Sequence, residues 1–184
     1  MFKPINILIA LLWAGFQAYW VIKYFGNKQT VRSLWWYRMA SLLLAVYVAW
    51  AVLGFGKAPG EGSFVLHTAG FILCLSGLIF SIWARVHLGE NWSAEITLKK
   101  DHALITTGPY AYVRHPIYTG LLIALTGTGL ALTPSPKGAV FIAVVMGAFW
   151  IKMKKEENLM LKQFPEAYLA YKKSTRFALI PHIY

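Results

Sequence analysis

The sequence predicts an all-α, polytopic membrane protein with five transmembrane helices, the last two a short hairpin, followed by C-terminal helices on one membrane face. Three observations carry this. Of 184 residues, 58% are hydrophobic and 16% aromatic but only 14% charged, a balance too apolar for a soluble domain. Five runs are free of acidic and basic side chains over lengths that cross, or nearly cross, the roughly 30 Å of a bilayer core. The 18 Lys and Arg residues fall between those runs, so the net charge of +11 is a membrane signature and no nucleic-acid partner is expected. Cys74, the single cysteine, lies in an apolar run; it has no partner for an internal disulfide, and no Cys/His spacing suggests a metal.

The first run, residues 5–22, follows Lys3 and precedes Lys23 without a small-residue cleavage site, so it reads as a retained helix and not a signal peptide. Residues 39–56, 62–84 and 116–136 supply the next three spans. The fifth, residues 138–151, is short and is expected to pack against its predecessor, with Pro134-Ser135-Pro136 turning the hairpin. Basic residues resist translocation, and all but Lys3, Lys57 and Lys137 fall on one side of this arrangement, as do all the acids but Glu61. The N-terminus is therefore expected outside, and the C-terminus and the polar chemistry on the cytoplasmic side. Residues 1–60 form an N-terminal two-helix region and residues 61–184 a core.

Two cytoplasmic segments remain. Residues 87–115 are too polar to span and are punctuated by Gly108-Pro109, which predicts a loop folded on the bilayer face. Residues 152–174 place Leu161, Phe164, Tyr168 and Tyr171 at helical steps, and Pro165 divides them into two short helices meeting near Phe164. Between them Arg114-His115-Pro116 stands at the mouth of the fourth span, where a cation and an imidazole point to a polar site at the lipid boundary. Pro116 suits a first helical turn, whose N–H groups have no intrahelical acceptor.

The pattern His102-x-Leu-Ile-Thr-x-Gly-x-Tyr110, then Arg114-His115-Pro116-x-Tyr118-x-Gly120, then Glu156-Glu157-x-x-Leu and Phe164-x-x-x-Tyr168-x-x-Tyr171, resembles the isoprenylcysteine carboxyl methyltransferase family. The resemblance covers roughly residues 91–181; the first two spans carry no matching motif. It implies an integral-membrane methyltransferase that uses S-adenosyl-L-methionine, releases S-adenosyl-L-homocysteine and admits a lipophilic or prenylated substrate sideways from the bilayer. The cofactor residues it implies are Glu95, His102, Ala103, Leu104, Ile105, Tyr110, His115, Pro116, Ile117, Tyr118 and Glu156. The start of the fourth span would attract the cofactor's carboxylate. Glu156 and Glu157 are expected to open the cytoplasmic helix, where the helix dipole favours anions, and Glu156 to take the cofactor's amino group or ribose.

Methyl transfer from a sulfonium is an in-line displacement that needs alignment, exclusion of water and an ionised acceptor. A carboxylate acceptor is already ionised, and a guanidinium can hold it bidentately, which nominates Arg114. The family also uses an arginine one turn before the acidic pair, a position held here by Lys152, which keeps the charge but not the planar fork. For an amine acceptor, Glu157 or His115 would take the proton. An isolated Arg114 would be read as a snorkelling anchor, and Glu156-Glu157 alone as helix-end charge; their company is what singles them out. His67 and His87 have no partner pattern and read as structural. Trp35, Trp36, Trp92 and Trp150 read as interface belts, residues 172–176 as a lipid-headgroup contact, and residues 126–129, Thr-Gly-Thr-Gly, as a close helix-packing surface. Competing functions are N-methylation of a phospholipid headgroup, NADPH-dependent reduction of a sterol-like lipid, and a non-catalytic protein of the same fold.

Overall fold

A computed structural model describes residues 3–25, 64–92, 103–132 and 136–179. The expected second span, Glu95, His102, Trp35 and Trp36 lie outside these residues. Helices are α1 (Lys3–Phe25), α2 (Phe64–Leu88), α3 (Pro116–Leu132), α4 (Pro136–Gln163) and α5 (Pro165–Ser174), with single 3-10 turns at Gly89–Asn91 and Gly108–Ala111. No strand occurs among the described residues. Pro4–Lys23 and Phe64–Asn91 are long and apolar enough to cross a membrane; Pro116–Leu132 is apolar but shorter.

The core is the α2–α3 pair. Along α2 the buried positions are Gly70, Cys74, Gly77, Leu78, Ser81, Ala84 and Arg85, one helical stripe rich in small residues. Gly70 faces Gly127 and Gly77 faces Gly120, so the helices run antiparallel with backbones nearly touching. A Cβ on Gly77 would lie 2.5 Å from the Ala124 amide nitrogen and the Gly120 carbonyl. The expected packing role of residues 126–129 is met in Gly127, Thr128 and Gly129, all buried, whereas Thr126 is exposed. Ile9, Trp13, Phe16 and Trp20 form the buried stripe of α1 against this pair. Trp13 Nε1 donates to Thr128 Oγ1 at 3.0 Å, and that hydroxyl donates onward to the Ala124 carbonyl. The outward faces carry Ile7, Leu11, Ile22, Val65, Ile72, Ile79 and Val86, all exposed, as a lipid-facing surface requires.

One expectation is corrected. The fifth apolar segment and the cytoplasmic helix expected after residue 151 are not separate helices, because one helix, α4, runs unbroken from Pro136 to Gln163. Residues 152–163 are Lys, Met, Glu, Asn, Leu and Gln, mostly strong helix formers with no Gly or Pro among them. Lys152 and Glu156 also pair at i, i+4 just past the expected boundary. Glu156 and Glu157 therefore sit in mid-helix, and the helix-start argument for their charge does not apply. The break at Phe164–Pro165 is where the proline predicts it. Pro136, the described end of the expected turn, is the first residue of α4. After α5, residues 175–179 run alongside the start of α3.

Candidate functional site

The start of α3, the middle of α4 and the chain after α5 meet at one cluster. Tyr118, two residues into α3, donates its hydroxyl to Glu156 Oε1 at 2.7 Å. The His115 ring lies nearly parallel to Tyr118 at 5.8 Å, and Tyr118 stacks on Phe149 at 4.8 Å, giving three rings in series. Phe149, Lys152 and Glu156 share a face of α4, at positions i, i+3 and i+7. Lys152 Nζ is 3.8 Å from Glu156 Oε1 and 5.5 Å over the Tyr118 ring. His115 Nδ1 is 3.6 Å from Glu156 Oε2; Nε2 is 3.5 Å from Glu157 Oε1 and, although buried, makes no hydrogen bond among the described residues. A quarter of the Glu156 side chain remains exposed, at 25%.

Glu157 is deeper. It receives Arg114 Nε at 2.7 Å and Lys172 Nζ at 2.9 Å, with 5% of its side chain exposed. Burial alone would push this carboxyl up. The His115 imidazole, Lys172 and Arg114 outweigh it and hold the group well below the usual carboxylate range. Arg114 is committed further: Nη1 donates to the carbonyls of Thr175 at 2.8 Å and Arg176 at 2.5 Å. Sequence reasoning left this guanidinium open for a ligand, and the structure turns it onto the protein's own chain.

The same strap takes the backbone donors ahead of α3. Arg114 N–H donates to the Phe177 carbonyl at 3.0 Å and His115 N–H to that of Ala178 at 2.9 Å. Thr119 Oγ1 donates to the Leu179 carbonyl at 2.6 Å. Two of the amides beside this helix end are thus closed to an anion by carbonyls of the C-terminal segment. Pro116 and Ile117 follow within the helix; Pro116 is buried, and the Ile117 carbonyl accepts from Ser81 Oγ at 3.0 Å.

The loop before this motif is tied from both sides. Ala103 N–H donates to Asn91 Oδ1 at 2.9 Å, and Leu104 and Ile105 are half-buried beside it. His87 Nε2 lies 2.9 Å from Thr107 Oγ1, and its ring packs under Gly108, whose φ of +59° and lack of room for a Cβ both require glycine. His87 is thus structural, as expected. Tyr110 is buried, and Tyr171 hands its hydroxyl proton to the Tyr110 carbonyl at 2.7 Å. Burial, chiefly, raises the phenols of Tyr110, Tyr168 and Tyr171 above their ordinary value. Trp92, expected in an interface belt, is half-buried between Trp20 and the Arg85 guanidinium.

Sequence reasoning missed Phe149, Lys172, Thr175 and Thr119 as parts of this cluster. Phe149 was legible in principle, being two turns before Glu156. Lys172 and Thr175 carry no local signal, because they arrive only when the chain folds back after Pro165. A cavity of about 280 Å³ lies nearby, lined by Ala111, Tyr112, Ser174, Thr175, Arg176 and Phe177.

Comparison with known proteins agrees with this geometry. The family model of the isoprenylcysteine carboxyl methyltransferases matches residues 70–162, a stretch running from α2 through the acidic pair of α4. A protein-S-isoprenylcysteine O-methyltransferase of Schizosaccharomyces pombe is 36% identical over 103 residues, 55% of this chain and 43% of that protein. The rat protein of the same name is 32% identical over 110 residues, 59% of this chain and 39% of its own. The chain thus spans less than half the length of these two relatives. Arabidopsis thaliana protein-S-isoprenylcysteine O-methyltransferase B is 33% identical over 142 residues, covering 76% of this chain and 72% of the relative. The solved structure of a eukaryotic intramembrane Ras methyltransferase superposes with a TM-score of 0.60 at 24% identity, covering all of this chain and 70% of that one, and so shares the fold. With half of its length under the family model and a relative matched over most of both chains, this protein belongs to the isoprenylcysteine carboxyl methyltransferase family.

Proposed function

We propose that the chain is a membrane-embedded methyltransferase that forms a methyl ester on the carboxylate of a lipophilic acceptor of isoprenylcysteine type, with S-adenosylmethionine as donor. The observation that carries this is the Tyr118–Glu156 hydrogen bond of 2.7 Å, which joins the Arg-His-Pro helix start to an acidic residue 38 positions later inside the family match.

The residues present fit the donor. Glu156 is a part-exposed carboxylate beside a ring stack, which suits an ammonium and a sulfonium together. His115 Nε2 is a buried nitrogen without a hydrogen bond among the described residues. When bound, the donor supplies an electrophilic methyl group. The chain's own part is to hold it: Tyr118 orients Glu156, Lys152 balances that carboxylate, and the Ala103–Ile105 backbone lines the adenosine side that Tyr110 closes, with Glu95 and His102 assigned to the same cofactor from the sequence pattern. Pro116 and Ile117 set the helix end against which the donor rests.

Glu157 argues for a carboxylate acceptor over an amine. Locked by Arg114 and Lys172, its carboxyl is a weak proton acceptor at neutral pH, so general-base chemistry would be poorly served there. A carboxylate needs no base. We accordingly read Arg114 and Glu157 as the frame that aligns His115 and Glu156, with Lys152 beside the reacting groups.

The same reading keeps five transmembrane helices with α3 and α4 as the closing hairpin, the N-terminus outside and the active site at the cytoplasmic leaflet. The acceptor enters from the bilayer among ordinary membrane lipids. The test is incubation of membranes containing the protein with radiolabelled S-adenosylmethionine and N-acetyl-S-farnesylcysteine. Base-labile label on the acceptor is expected and should vanish in Glu156→Gln. Base-stable label, or binding of NADPH in place of S-adenosylhomocysteine, overturns the reading.

A further inference from the structure

At the end of α2 a guanidinium is buried without a counter-charge among the described residues. Arg85 is only 4% exposed. Among the described residues it makes one side-chain hydrogen bond, from Nη1 to the Gly89 carbonyl at 2.9 Å, and it lies 4.4 Å over the Trp92 ring. None of the ion pairs among the described residues involves it. Arg114, comparably buried, has Glu157. A desolvated cation ordinarily requires an anion, and among the described residues Arg85 has a carbonyl and an indole face instead.

A second orphan shares this corner. The Tyr19 hydroxyl is buried and makes no hydrogen bond among the described residues, and its phenol interacts electrostatically with Arg85. The Tyr19 ring meets Trp20 edge-on at 5.7 Å, and Trp20 meets Trp92 at 6.2 Å. A guanidinium with one acceptor and a hydroxyl with none among the described residues thus stand among indole rings at the junction of α1 and α2.

The corner lies beside the methyl-transfer site. Ser81, one turn before Arg85 on the same face of α2, donates to the Ile117 carbonyl. Because α2 and α3 are antiparallel, Arg85 comes level with the start of α3, where Arg114 and His115 begin the site. The Tyr110 phenol is within electrostatic reach of both Arg85 and Glu156.

We propose that Arg85 and Tyr19 are the anion-recognition corner of the acceptor site, with the guanidinium fork taking the substrate carboxylate, the Tyr19 hydroxyl adding a hydrogen bond, and Trp20 and Trp92 flanking the lipophilic part. This rests on the carboxyl methyltransferase reading and gives Arg85 the role that the sequence pattern suggested for Arg114. Arg114 donates to Glu157, Thr175 and Arg176, and Lys152 faces Glu156, whereas the Arg85 fork has donors to spare.

The test uses the purified full chain in detergent and calorimetric binding of N-acetyl-S-farnesylcysteine and its uncharged carboxamide, with S-adenosylhomocysteine binding measured in parallel. The wild type should prefer the acid by at least about tenfold, the scale of a charge-assisted hydrogen bond. Arg85→Gln should bring acid and carboxamide within about twofold of each other while S-adenosylhomocysteine affinity is unchanged, with Arg85→Lys intermediate. Tyr19→Phe should weaken the acid alone by about threefold or more. A folded Arg85→Gln protein that keeps the acid preference overturns the proposal. So does a Glu95→Gln variant that lowers the melting temperature as much as Arg85→Gln with acid preference intact, since Arg85 would then serve an internal carboxylate. Should Arg85→Gln fail to fold, a Tyr19→Phe protein with undiminished acid preference overturns it equally. A wild type that shows Arg85-dependent acid preference but neither binds S-adenosylhomocysteine nor forms ester refutes the methyltransferase reading and leaves the anion corner standing.

Discussion

Replacing Glu157 by Gln is the perturbation whose size the structure specifies best. The carboxylate is 5% exposed and accepts from Arg114 at 2.7 Å and from Lys172 at 2.9 Å, while the Arg114 side chain is itself 8% exposed. Removing the charge leaves a buried guanidinium facing a neutral amide, and breaking a buried pair from one side costs about 3–5 kcal/mol. The lower end applies, because Gln keeps an acceptor and Lys172, one third exposed at 33%, can turn to solvent. A loss of about 3 kcal/mol in a chain of this size corresponds to a melting temperature lowered by about 6–12 °C. The pH dependence follows from the sign of the perturbation. The folded carboxyl is held below its ordinary value of 4.5, so its stabilisation is complete above that pH. It is lost progressively as pH falls below that value toward the folded state's lower one. Thermal unfolding in detergent from pH 8 to pH 3 should show the wild type and Glu157→Gln far apart at neutral pH and converging in acid. A difference below about 2 °C at pH 7, or a constant gap across the range, refutes the argument that the buried network holds the site together.

Gly77→Leu should abolish folding or cost about 3 kcal/mol or more, because its Cβ would meet backbone atoms of α3 at 2.5 Å, whereas Gly147→Ala, with nothing within 4 Å, should be neutral or stabilising by up to about 1 kcal/mol; thermal unfolding compares them. Tyr118→Phe removes the donor to Glu156 and should weaken S-adenosylhomocysteine binding by about 3–10-fold in calorimetry, with the melting temperature nearly unchanged. Thr119→Val deletes the bond to the Leu179 carbonyl, costing about 1 kcal/mol and speeding limited proteolysis within residues 175–179.

The spans of α1 and α2 were legible because lipid-facing helices carry continuous apolar runs, and the Pro165 break because proline cannot continue a helix. The small residues of α3 announced close packing, although not that Gly120 and Gly127 would meet Gly77 and Gly70. The continuation of the last hairpin helix beyond its apolar run was not legible because hydropathy marks where lipid ends, and helix formers such as Lys152 and Glu156 carry the helix past that point. Arg114 shows the same gap in the site. Its position in the motif was plain, but its fate depended on the strap at residues 175–179 and on Lys172, which have no sequence-local relation to it.

By itself, then, the order of residues determined the membrane class, the family pattern and the motif residues at the Arg-His-Pro helix start, since periodicity and motif spacing are local properties of the chain. Only the folded structure decided which charges neutralise one another and which stay unpaired. Glu157 is satisfied by a lysine 15 residues away and an arginine 43 residues away, while Arg85 is buried without a carboxylate among the described residues. The physical reason is that desolvation and ion pairing depend on separations of a few ångströms between segments distant in sequence, and the packing of α2, α3 and α4 sets those separations.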